Sequence, residues 1–113
     1  MSIASRIAAK RAERERGSVE VEEWGDDAPL LLYFSEVTAR DIERIQRKHK
    51  DFLSMPTLSA MVETIILKAE DEAGEKVFTL EDKPILMGET IGIIAKVFGA
   101  ILGSTDVEEH EKN

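Results

Sequence analysis

Cysteine is absent from the 113 residues, which removes disulfides, thiolate nucleophiles and cysteine-ligated zinc together. Aromatic residues are scarce, at 5%, so the core must be aliphatic. Histidine occurs only at His49 and His110, and no second histidine sits at metal-ligand spacing. A glycine-rich phosphate loop and a Gly-x-Ser-x-Gly nucleophile turn are also missing. The N-terminus lacks the apolar run of roughly 7–15 residues that a secretory signal requires, so cytoplasmic residence is the expectation.

What is present is charge. The chain is 34% charged and 42% hydrophobic, as expected of a soluble domain, and its length suits a single modest core. The net charge of −8 is unevenly spread. Residues 1–16 are basic, at net +3; residues 17–39 carry six acids and no base; residues 40–52 return to net +2. Two short basic stretches on an acidic chain argue against nucleic-acid binding, which depends on clustered cations. Protein partners are expected instead.

The opening "SIASRIAAKRAERERG" favours helix but offers only Ile3 and Ile7 as an apolar stripe. It is assigned as a flexible helical arm over residues 1–17, followed by one globular domain over 18–103 and a disordered acidic tail over 104–113. A β-hairpin is predicted over about 18–35. Val19 and Val21 alternate with glutamates, Leu30 to Phe34 form a more buried run, and Gly25 to Pro29 hold turn residues. Trp24 is out of phase, and a bulge at Glu22 and Glu23 would return it to the core face.

Three helices are predicted to follow, over about 38–53, 57–72 and 84–103. The first opens on a capping box from Thr38 to Asp41, with Ile42, Ile45, His49 and Phe52 on one face. Thr57 or Ser59 caps the second. The third is the most apolar segment: Met87, Ile91, Ile94, Phe98 and Ile101 form one row, and Gly88, Gly92, Ala95, Gly99 and Gly103 a small-residue stripe. Its length would suit a bilayer, but Glu89 and Lys96 would each cost roughly 2.5–3.5 kcal/mol near the membrane centre. A helix packed closely through its glycines is the simpler expectation. The fold class is therefore α+β, predominantly helical, with an N-terminal antiparallel hairpin packed on three or four helices.

"EDEAGEKVFTLED", residues 70–82, tests poorly as a calcium loop. With Gly74 at the sixth loop position, the first and fifth ligand positions become Ala69 and Ala73. Local roles suit it better: a helix stop with left-handed Gly74, an extended "KVF" turning Val77 or Phe78 inward, and a capping box from Thr79 to Asp82. No catalytic residue, metal or cofactor is expected, and the protein is not expected to be an enzyme.

The order "VEVEEWG", second strand, "VTARDIERI", "MVETIILKAED", "GEKVFTLED" and "IIAKVFGAIL" resembles the tail assembly chaperones of siphovirus-type bacteriophages and related prophages. The likeness spans residues 3–102 and is sharpest at "EEWG" and "GEKVFTLED". One departure is "YFSE", Tyr33 to Glu36, where the family often has a basic residue ending the second strand. The resemblance implies a non-catalytic protein of the host bacterial cytoplasm, absent from the mature virion. Such proteins bind the tape-measure protein, keep it soluble and help recruit tail-tube protein. Many are also made in a longer, frameshifted form.

On that expectation Met87, Ile91, Ile94, Phe98 and Ile101, with Ile3 and Ile7 of the arm, form a partner-binding surface for the client or for a homo-oligomer. Two other functions remain open from the residues alone: a membrane-acting phage protein using 84–103, and a small regulatory protein placing the basic face of the 40–50 helix on nucleic acid.

Overall fold

The computed structural model describes residues 2–103; the expected tail over 104–113, with His110, lies outside the described residues. The chain is α+β and rich in helix, as its pattern predicts. Helix α1, Ile3–Glu13, is capped by the Ser2 hydroxyl, which accepts from the Ser5 amide, and places Lys10 and Arg11 at its negative end. None of its residues is buried.

Strands β1, Gly17–Val21, and β2, Leu30–Phe34, pair antiparallel with Val19 opposite Leu32 and Val21 opposite Leu30. Opposed residues share a face, so this register turns the valines, Leu32 and Phe34 inward together. Gly17 makes room for Phe34, since a Cβ there would meet the ring at 2.5 Å. Trp24 reaches the core side through a 3-10 turn, Glu22–Trp24, not a bulge. The turn follows β1 directly, so the strand ladder stays intact where an extra residue would have disrupted it.

The capping box opens α2, Ala39–Gln46, with Asp41 Oδ2 accepting from the Thr38 amide and Thr38 Oγ1 from the Asp41 amide. This helix is shorter than the predicted 38–53. After Ile45 the chain continues as tighter turns that place Phe52 edge-on to Phe98, with ring centroids 6.1 Å apart. Helix α3, Leu58–Lys68, is capped by Thr57, which accepts from the Ala60 amide.

It too stops short of its predicted end at 72. At Glu70 the backbone turns from helix to sheet, exchanging both hydrogen bonds with Tyr33, at 2.8 and 2.9 Å. Glu70 also bridges to Lys76 across a tight turn in which Gly74 has φ +89°. The glycine is left-handed, as expected, but it serves a small hairpin and not a helix end. Phe78 then turns inward and meets Trp24 edge-on at 6.1 Å.

The Thr79–Asp82 capping box forms and leads into α4, Lys83–Met87. The predicted helix over 84–103 is thus two: α4, and α5 over Ile91–Gly103, separated at Gly88, Glu89 and Thr90. Glycine and threonine are weak helix formers, and Glu89 spends one carboxylate oxygen on the Thr90 amide and the other on Trp24 Nε1. These bonds hold the corner. Helix α3 lies between α2, α4 and α5, while α5 also covers β1.

Candidate docking surface

The break between α4 and α5 divides the predicted apolar row. Ile94, Phe98 and Ile101 are 3%, 7% and 0% exposed and belong to the core of this chain. Met87 and Ile91 stay 45% and 64% exposed. The expected partner row is corrected accordingly, because α5 turns one side toward α3 and β1 and the three residues spaced along that side are used there. The glycine stripe does not pack closely either: a Cβ added at Gly92, Gly99 or Gly103 meets nothing within 4 Å.

Met87 and Ile91 instead join Leu58, the first residue of α3, around a dimple of about 40 Å³ floored by Val62, Leu86 and Ile94. One water needs roughly 10–15 Å³ on this measure, so the dimple has space for the tip of an apolar side chain. Leu58 was legible only as a core-face residue, because periodicity does not tell which end of a helix extends past its neighbours. Glu89 sits on the rim. Hydrogen bonds from the Thr90 amide and Trp24 hold its carboxyl below the ordinary range, so the rim is anionic at neutral pH.

Two charged clusters brace the body, one at the C-terminal end of α3 and one along its middle. Lys68, buried on α3, donates to Ser35 Oγ and Glu36 O at 3.1 Å and to Asp41 Oδ2 at 2.7 Å. All three ammonium donors are used, which makes it a tie between α3 and the start of α2 and not a free nucleophile. Glu63 Oε2 accepts from Lys48 at 3.0 Å and from Lys83, which also donates to Ser59 at 2.7 Å. His49 borders this helix contact as expected, with Nε2 3.3 Å from Glu63 Oε1 but off the direction of a hydrogen bond. Among the described residues no three His, Asp or Glu side chains are placed to hold a metal ion.

Burial alone would raise the Glu63 pKa, but its hydrogen bonds to Lys83 and Lys48, with the His49 ring close by, outweigh this and hold it at about 2. A carboxyl whose folded pKa is depressed stabilises the fold above its unfolded value and loses that contribution as pH falls toward the folded one. Stability should therefore decline between about pH 4.5 and 2. Glu63→Gln should flatten that decline in urea titrations followed by circular dichroism; an unchanged slope would exclude Glu63 as its source.

At the C-terminal end of α1, Arg11 and Arg14 to Arg16 line an open groove of about 600 Å³ with residues 35–38. Among the described residues, no helix is long and apolar enough to cross a membrane. The chain matches no protein-family model, no curated protein and no solved structure.

Proposed function

We propose that this protein is a tail assembly chaperone of the siphovirus type, a non-catalytic protein that shields an amphipathic helix of the tape-measure protein. The observation that carries this reading is the exposed Leu58–Met87–Ile91 face, an apolar dimple with an anionic rim on a small acidic body. A client helix with one apolar anchor and a flanking base suits it, the groove holding the anchor and Glu89 selecting the base. The strong net charge keeps such a complex dispersed. The resemblance over residues 3–102 supplies the client's identity, recruitment of tail-tube protein as a second task, and residence in the bacterial cytoplasm and not in the virion. Splitting of the 84–103 segment into α4 and α5 weighs against membrane action by that segment.

Co-expression with the tape-measure chain tests this. The wild-type protein should keep the client in the supernatant, and Met87→Asp should lower its recovery at least tenfold while far-UV circular dichroism stays unchanged. Equal client recovery with and without this protein would exclude the reading.

A further inference from the structure

We propose that α1 is an intermolecular docking arm: Ile3 and Ile7 of one copy seat on the Leu58–Met87–Ile91 face of a second copy until a client displaces them. This rests on the reading of that face as a helix-docking site.

An eleven-residue helix with nothing buried is marginal by itself in water, since isolated helices shorter than about 12–15 residues seldom persist. Its two isoleucines lie one turn apart and are 69% and 59% exposed. The root of the arm, by contrast, is firmly held. Arg14 Nη1 donates to Glu36 Oε1 at 2.8 Å, and Arg16 donates to Asp71 O at 3.0 Å and Glu72 O at 2.8 Å. The Arg16 guanidinium also stacks 4.7 Å over the Tyr33 ring.

These anchors gather where Lys68 meets Ser35 and Glu36, at the C-terminal end of α3. Leu58 opens the other end, about 16 Å away at 1.5 Å per residue. Rooted there, the arm leaves its own docking face open while its isoleucines stay in solvent. The unused side of the arm and the unused face of the body therefore meet between copies.

Charge favours the same pairing. Residues 1–16 carry net +3 on a chain of net −8, so each arm is drawn to another copy's body. Arg6 and Lys10 each follow an isoleucine by three residues and flank the apolar pair, as the anionic Glu89 rim requires. Arm and face are different surfaces, so the contact is head-to-tail unless two copies exchange arms reciprocally.

Sedimentation of the full chain without client tests this across protein and salt concentration. The wild-type mass should rise above the monomer with concentration and fall with salt. Ile7→Asp and Met87→Asp should each weaken association at least tenfold with unchanged circular dichroism. Mixing the two variants should restore a 1:1 complex, because one retains the face and the other the arm. A wild-type protein that stays monomeric, an Ile7→Asp variant that associates normally, or a mixture that stays monomeric would each overturn the proposal. Client solubility is read separately, so failure of the chaperone reading would leave this result distinct.

Discussion

Phe98→Ala should lower the unfolding free energy by about 3–5 kcal/mol, the usual range for deleting a buried aromatic side chain. Phe98 is on the inward side of α5, edge-on to Phe52 with an interplanar angle of 83°. Its loss opens a cavity between α5 and the turns after α2, segments that the chain brings together only in the folded state. Small domains are stable by about 5–15 kcal/mol, so this one change removes a large share. Ile91→Ala, two turns away and exposed, should move stability by no more than about 0.5 kcal/mol. Urea unfolding followed by far-UV circular dichroism separates the two, provided the denaturant slope is unchanged. Equal, small effects would mean that α5 does not bury the side described here. Phe98→Asp should abolish folding, so loss of client binding in that variant would report collapse and not a lost contact.

Lys68→Met should destabilise the fold by about 2–4 kcal/mol, because breaking a buried ion pair leaves its partner charged without compensation. The methionine keeps most of the aliphatic stem, so the loss is chiefly polar. Three bonds disappear together, to Ser35, Glu36 and Asp41, and the start of α2 loses its tie to α3. Burial raises the Asp41 pKa, but the Lys68 bond and the Thr38 cap outweigh it and leave the carboxyl below its ordinary 3.8. That contribution is present above pH 3.8 and fades as pH falls toward the folded value. The gap between wild type and Lys68→Met should therefore narrow in acid. A double variant with Asp41→Asn should recover part of the loss, since it removes the stranded charge. Simple additivity in that cycle would show the pair to be uncoupled.

Local patterns carried most of the fold. Both capping boxes, Thr38 with Asp41 and Thr79 with Asp82, depend on residues three apart, and both form. The hairpin follows from alternation of apolar residues with turn residues between them, again a short-range signal. Helix α1 follows from local propensity, and its lack of buried residues matches an apolar stripe of only two isoleucines.

The element ends were decided elsewhere. The pattern of α3 continues past Lys68, yet Glu70 leaves the helix because Tyr33, distant in sequence, offers both a donor and an acceptor. Residues 84–103 read as one apolar helix, yet Trp24 from the hairpin turn helps hold the corner at Glu89. Periodicity places Ile91, Ile94, Phe98 and Ile101 in one row but does not show how much of that row the neighbours cover.

The sequence by itself determined the class of fold, the caps and the left-handed glycine. These are properties of a residue and its near neighbours. Tertiary structure alone decided where three helices end and which apolar side chains remain in water. Each of those outcomes depends on contacts between segments far apart in the chain, which have no position relative to one another until the core has formed.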